Sequence, residues 1–361
     1  AIQEPFVPIN TSCTPTILSE TPNCISPPSS SGPVFTGSLR TNTSKVGHSI
    51  QLGFDADILE ISLNELYDVV DIFFIVEWNT FHNGGMLGAH KKPLTWEALK
   101  YQDRFAKFHH KIVHFILDDF DSEYAKKASG SIWRFESYQE YKRWERIKDW
   151  NDLNHFFKDD DVIGLGDADE IPSRVNVNLL KRCQLDQKVT SVDIGIWFPF
   201  GYVDHAFASN FPVKGDKYTL GDPTFWTFKA ANETFDRNTR KAPNRQRGRS
   251  KHFLYGGMHM TNYGALGYRI LRLLSCSECA IGSPQLIQLA NQMKRAASMD
   301  TWAKLEDDLH YVQKAQFRQR SVPIYAAPEH TKKHVIYYPW FYQCNPDRYP
   351  TFQGKTDSRT I

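Results

Sequence analysis

The chain has 361 residues, enough for one large domain or two, and a chain of about 300 residues buries roughly three quarters of its unfolded surface. Apolar residues make up 41% and charged residues 23%, ordinary globular usage that excludes wholesale disorder and collagen-like or coiled-coil architecture. The 43 basic residues against 41 acidic ones give a formal charge of +2, which argues against attraction of the whole molecule to nucleic acid or anionic lipid.

Residues 1–36 contain eighteen Ser, Thr or Pro and only two charges, Glu4 and Glu20. Such a stretch buries too little surface to offset its ordering entropy, so residues 1–50 read as a stalk or arm and 51–361 as the folded domain. Cys13 and Cys24 are expected to close a small loop within the arm. Six cysteines in all, with sequons at Asn10, Asn42 and Asn232, favour the secretory route. Cys276 and Cys279 read as disulfide or buried thiol rather than a zinc half-site, because no second Cys pair stands at zinc spacing. The longest apolar run, Val69 to Val76, is interrupted by Asp71 and is shorter than the roughly 18 to 25 residues of a membrane span.

Ile58, Ile61, Leu63 and Leu66 suggest a short helix. Asp71 to Trp78 is a continuous apolar run of the kind buried on both faces of a sheet, and Lys111 to Asp119 is a second, after a helix around Leu94 to Phe105. Tyr141, Trp144, Ile147, Trp150, Leu153 and Phe156 recur every three residues and indicate an amphipathic helix. Asp161 to Gly166 and Thr190 to Phe200 complete four buried strands. Strands alternating with helices indicate an α/β fold around a mostly parallel sheet flanked by helices, with the ligand site beyond the strands' carboxyl ends. The second half is less regular, with two helices expected near Pro284 to Ala297 and Thr301 to Ala315.

The most informative segment is Gly164-Leu-Gly-Asp167-Ala-Asp169-Glu170-Ile-Pro172. Alternation along an extended strand points Asp167 and Asp169 the same way, and two converging carboxylates repel unless a cation lies between them. Oxygen ligands favour a hard ion, Mn²⁺ or Mg²⁺. Pro172 suits the first turn of a following helix. A solvated acidic turn is the alternative.

These blocks, in order, resemble glycosyltransferase family 17: Phe54 to Asp71, the strand ending in Glu77, Lys111 to Asp118, Asp167-Ala-Asp-Glu-Ile-Pro172, and Gly256-Gly-Met-His259-Met-Thr-Asn-Tyr-Gly264. The similarity runs from about Phe54 to Ser283. It implies a Rossmann-like GT-A catalytic domain with an irregular C-terminal part, and an inverting transfer from a UDP-sugar, UDP-GlcNAc first, to a glycan or glycoprotein acceptor such as an N-glycan. By position Asp169 becomes the principal metal ligand, Asp167 a contact to metal or donor ribose, and His259 a neighbour of metal and diphosphate. A hydrogen-bonded core histidine is the alternative for His259. Arg272 keeps the positive charge that a diphosphate would want, while Gly166, Met258, Glu278 and Ala280 depart from the family pattern. In that light the N-terminal arm reads as the stalk of a type II Golgi protein whose anchor this sequence lacks, so membrane contact is expected only through that anchor.

An inverting transfer needs one general base. Glu170, Asp193, Asp204 and Glu278 are the candidates. Glu77 reads as a donor-binding carboxylate or as a cap on a neighbouring helix. The run Arg237, Arg240, Lys241, Arg245, Arg247, Arg249 and Lys251, without an acid, reads as a loop that folds over the diphosphate or as solvated surface, and without a motif it does not point to nucleic acid. Trp78, Trp197, Trp226 and Trp340 are candidates for stacking on sugar rings, against the default of core packing. A catalytically silent carbohydrate-binding homologue and a metal-dependent phosphoesterase are the competing readings.

Overall fold

The structure, a computed structural model, describes residues 7–10, 12–15, 17–25, 32–79, 92–118, 134–200, 202–207, 219–246, 248–261, 263, 272 and 321–353. The two helices expected between 284 and 315, and Cys276 and Cys279, lie outside these residues.

The chain begins with β1 (Phe35–Leu39), β2 (Val46–Gln51), α1 (Ala56–Leu66) and β3 (Ile72–Trp78). Short helices α2 (Thr95–Leu99) and α3 (Asp103–Ala106), then β4 (Ile112–Leu117), α4 (Arg134–Asn154) and β5 (Val162–Asp167), continue it. Next come β6 (Glu170–Pro172), α5 (Arg174–Arg182), β7 (Cys183–Leu185), β8 (Ser191–Trp197), β9 (Pro199–Phe200) and β10 (Tyr202–Phe207). The described chain closes with β11 (Thr219–Thr227), α6 (Phe228–Thr234), β12 (Phe253–His259), β13 (Ser321–Pro323), α7 (Glu329–His334) and α8 (Trp340–Cys344).

Eight strands form the main sheet in the order β4-β3-β2-β5-β11-β8-β12-β6. The first four are mutually parallel, β11 runs against both its neighbours, β12 is parallel to β8, and β6 closes the edge antiparallel. The α/β expectation with a mostly parallel sheet therefore holds, with antiparallel members in the second half.

The apolar runs are continuous because both faces of the sheet are covered. Phe73 and Ile75 of β3 join Leu59, Leu63 and Leu66 of α1 in one core, while Ile72 and Phe74 join Trp144 and Ile147 of α4 in another. The three-residue stripe of α4 does not all go inside. Each step of three turns 300°, so the stripe drifts around a helix of 3.6 residues per turn, and Leu153 ends 82% exposed. The single helix expected over residues 94–105 is two, because Gln102 adopts an extended backbone between them.

Pro172 does not open a helix. It ends β6, an edge strand where a missing N–H is tolerated, paired with Gly257. The helix starts after Ser173, whose hydroxyl accepts the N–H of Asn176 as an N-cap. Gly257, at φ 153°, is required at that pairing: a Cβ there would stand 2.4 Å from Ile196 and 2.6 Å from the carbonyl of Ile171.

The arm is not a free stalk, and the boundary at residue 50 falls inside the fold. Strand β2 lies between β3 and β5 in the main sheet, and β1 pairs antiparallel with β7. Upstream, the expected Cys13–Cys24 loop does not form. Cys13 is bonded to Cys344 and Cys24 to Cys183, pinning the arm to the end of α8 and to the start of β7. Asn178 and Arg182 of α5 donate to the carbonyls of Ser19 and Glu20, and Asn10 donates its N–H to Asn345 at 2.7 Å. A polar segment is thus ordered by covalent ties and backbone hydrogen bonds rather than by its own core. Of the sequons, Asn10 and Asn42 are exposed, whereas Asn232 sits on α6 with its carbonyl oxygen buried.

Each bond spans a long loop, 159 residues for Cys24–Cys183, so its loss frees much unfolded-state entropy. Replacing Cys24 with Ala is expected to lower unfolding free energy by about 2–5 kcal/mol, read as a lower urea midpoint. An unchanged midpoint would show that the arm contributes nothing to stability.

Candidate active site

Strand β5 ends at Asp167, turns through Ala168 and Asp169, and re-enters the sheet as β6 at Glu170. Two backbone bonds fix this turn: the N–H of Ala168 donates to Gln51 at the end of β2, and the carbonyl of Asp169 accepts the N–H of Met260 just after β12, at 2.7 Å. The three acids of the segment therefore do not share a solvent-exposed loop. Asp169 and Glu170 are 1% and 2% exposed.

Because the chain turns after Asp167, strand alternation does not bring the two aspartates onto one point, and they separate between two cationic partners. Asp169 Oδ2 accepts from Arg272 Nη2 at 2.7 Å and lies 3.1 Å from His259 Nε2. Arg272 also donates through Nη1 to Asp55, in the loop after β2. Burial alone would raise the Asp169 carboxyl, but Arg272 and His259 beside it hold it well below the usual carboxylate range. Burial would likewise lower His259, yet Asp169 raises it to about 9. The ring of His259 stacks on Phe198 with centroids 4.9 Å apart.

Asp167 and Glu170 instead meet Arg245. One nitrogen of that guanidinium, Nη1, donates to Asp167 Oδ2 at 2.5 Å and to Glu170 Oε1 at 2.7 Å. Glu170 Oε2 accepts the N–H of Asp167 at 3.0 Å. Burial, with Asp222 and Asp167 near it, pushes Glu170 up to about 8 against the pull of Arg245. Gly166 clears this space. A Cβ there would stand 2.9 Å from Pro223 and 3.3 Å from Glu170 Oε2, so a larger residue has no room without a shift of its neighbours.

Other sequence candidates lie elsewhere or serve the fold. Glu77 is fully buried and caps α2: its oxygens accept the N–H groups of Thr95 and Trp96 at 2.6 and 2.9 Å, with Lys92 and His114 alongside. A carboxylate at a helix N-terminus complements the orphan N–H groups there. Asp193 is also fully buried, and accepts from Thr224 Oγ1 at 2.6 Å and from the N–H groups of Gly248 and Ser250 at 3.0 and 3.1 Å. It fastens the loop that carries Arg245. Arg247 and Glu278 lie outside the described residues, as does the Asp204 side chain. Arg249 is exposed.

The basic run does not act as one cationic face, since Arg237 pairs with Asp149 and Arg245 turns inward. Trp78, Trp197 and Trp226 are buried and belong to the core. Trp340 is partly buried and donates to the carbonyl of Asn64. Missed from sequence were Asp55 and the pair Glu136 and Glu140 that also holds Arg245. Asp55 lies inside the first family-like block, and the i,i+4 spacing of the two glutamates on a helix was the available signal.

Among the described residues no three His, Cys, Asp or Glu side chains group as a metal cage. A cation that also binds phosphates needs only one or two protein ligands, however. Asp169 Oδ2 and His259 Nε2, 3.1 Å apart, are the pair that would have to face such an ion, the imidazole in its deprotonated form. With an imidazole in the set, the chemistry suits Mn²⁺ better than Mg²⁺. Asp167, committed to Arg245, is outside that pair.

The sequence model of glycosyltransferase family 17 matches residues 31–195. The match takes in Asp55, Asp167, Asp169 and Glu170 and stops short of Arg245, His259 and Arg272. Over 137 residues, 38% of this chain, the sequence is 29% identical to the beta-1,4-mannosyl-glycoprotein 4-beta-N-acetylglucosaminyltransferases of Rattus norvegicus and Homo sapiens. The aligned segment spans about a quarter of those relatives, 23% and 24% of their lengths.

Asp193 carries a pH prediction. Burial raises its carboxyl from 3.8 to about 7, so between those values the folded state holds a proton that the unfolded state has released. Its contribution to stability is therefore whole below about pH 4 and declines up to about pH 7. The difference in melting temperature between wild type and Asp193→Asn is expected to depend on pH, with wild type losing ground to the variant as pH rises across this window. Parallel curves would refute the assignment.

Proposed function

We propose that the chain holds the catalytic part of a GT-A-type glycosyltransferase that moves a sugar, GlcNAc first, from a UDP-sugar to a mannose-bearing glycan of a glycoprotein. The observation that carries this reading is the pairing of Asp169 with His259 and Arg272 at the carboxyl ends of the parallel strands, inside and beside the family-matched segment. The acceptor class and the transferred sugar follow from the relatives' names. A β-linked product from an α-linked UDP-sugar requires inversion, and hence a single displacement.

In that displacement the acceptor oxygen attacks the anomeric carbon as the bond from that carbon to the phosphate oxygen breaks, and the electron pair leaves with UDP. Arg272, already held between Asp55 and Asp169, brings fixed positive charge to the departing diphosphate, where a preorganised cation stabilises the transition state most. A Mn²⁺ ion held by Asp169 and His259 would add Lewis-acid stabilisation of the same oxygens. The more open edge of Asp167, whose side chain is 32% exposed, faces the donor ribose. Glu170 takes the acceptor proton in its ionised form, which burial disfavours and Arg245 favours. It is the one base candidate at the site whose side chain is described, and each of its oxygens keeps a second lone pair beyond the bonds to Arg245 and Asp167.

Disulfides pairing all four described cysteines support a secretory-pathway location, the Golgi lumen in this proposal. No helix among the described residues is long and apolar enough to cross a membrane.

Thermal shift with UDP, with and without Mn²⁺, followed by UDP release from UDP-GlcNAc on added glycans, tests the reading. Metal-enhanced binding and acceptor-dependent release are expected. Binding without release under any condition would instead assign a silent nucleotide-binding homologue, and no binding would overturn the donor assignment. Asp169→Ala and Arg272→Ala are each expected to lower kcat by about 10²–10³-fold. Glu170→Gln should lose turnover while keeping UDP affinity, and equal loss of both would remove Glu170 as the base.

A further inference from the structure

We propose that Arg245 is a positioning residue for the transfer reaction, which sets Asp167 and Glu170 in place while two glutamates of α4 hold it from outside the site. The inference rests on the functional reading above. Its side chain is 2% exposed, and its fork meets four carboxylates. On the site side, Nη1 bridges Asp167 and Glu170. On the outer side, Nη2 donates to Glu136 at 2.5 Å and Nε to Glu140 at 3.2 Å, both from α4. Glu136 and Glu140 are one turn apart, so they grip two edges of one planar group and fix its rotation.

The consequence is geometric. Asp167 and Glu170 are joined through Nη1 and through the Asp167 N–H, forming a closed unit whose orientation follows the guanidinium. The guanidinium in turn follows α4 through its two glutamates, and its backbone follows the loop fastened by Asp193 and Thr224, the latter accepting the N–H of Gln246 at 2.7 Å. Arg143, buried under the same turn, donates to the carbonyl of Gly166 at 3.3 Å and supports it from below. The only inward-turned arginine shown in the basic run therefore acts on the protein's own carboxylates. A lysine preserves the charge there but offers three donors from one point, and it cannot span four carboxylates around a plane.

The test uses the whole chain and compares wild type with Arg245→Lys and with the double variant Glu136→Gln/Glu140→Gln. UDP-binding stoichiometry counts the folded fraction, steady-state kinetics separates kcat from donor KM, and hydrogen exchange reports residues 166–171. For Arg245→Lys the expected result is full UDP stoichiometry, kcat lower by about 10–100-fold, and faster exchange at 166–171 with β3 unchanged. The double variant should move in the same direction by less. Wild-type kcat in Arg245→Lys, a kcat loss that only follows lost UDP stoichiometry, or unchanged exchange at 166–171 would each overturn the proposal. If the wild type releases no UDP, the transferase reading falls, and the exchange measurement still decides whether Arg245 positions the turn.

Discussion

Carboxylates placed at the tips of buried strands must be matched by cations, and this constraint organises the molecule. Asp55, Asp169 and Glu170 are all nearly inaccessible, in surroundings where an ionised carboxylate without partners is very costly. Among the described residues, the cations that form ion pairs with these three come from later in the chain: Arg245 from the loop before β12, His259 from the end of β12, and Arg272 from beyond it. The family-matched segment is thus electrostatically incomplete by itself. The second half, irregular as it looks in sequence, is what lets the acidic turn exist inside the protein.

The same logic is repeated away from the site. Glu60 of α1 is fully buried and meets Arg104 at 3.1 Å and Arg348 at 2.6 Å, while Arg104 also meets Asp57. This second network ties α1, which follows the central strand β2, to α3 and to the C-terminal segment. Removing one member of such a network costs more than the pair contributes, because the remaining charge stays buried without its partner. Both networks therefore act as registry devices, coupling segments far apart in sequence to the turn that the strands present.

Much of the sheet was legible because the strands buried on both faces declare themselves as unbroken apolar runs, as in Ile72 to Val76. The acidic turn was legible too, since Asp167 to Pro172 follows such a run directly. What could not be read was pairing at a distance. Nothing local distinguishes Arg245 from Arg249, yet one is buried among four acids and the other is exposed. Glu77 had two readings, and only the position of α2 chooses between them. The disulfides reversed the view of the arm for the same reason: Cys13 and Cys24 are near in sequence, but their partners are 331 and 159 residues away.

Those two bonds also determine how the protein would bear mechanical load. Tension applied to the N-terminal arm passes first into Cys344 at the end of α8 and then into Cys183 at the junction of α5 and β7, and only afterwards reaches β1 and β2. Covalent bonds rather than sheet hydrogen bonds take the pull, so strand β2 cannot be unzipped from β3 and β5 by a force arriving from that side. The arm behaves as a strain relief, and the turn that Gln51 helps to hold is mechanically insulated from a pull on it.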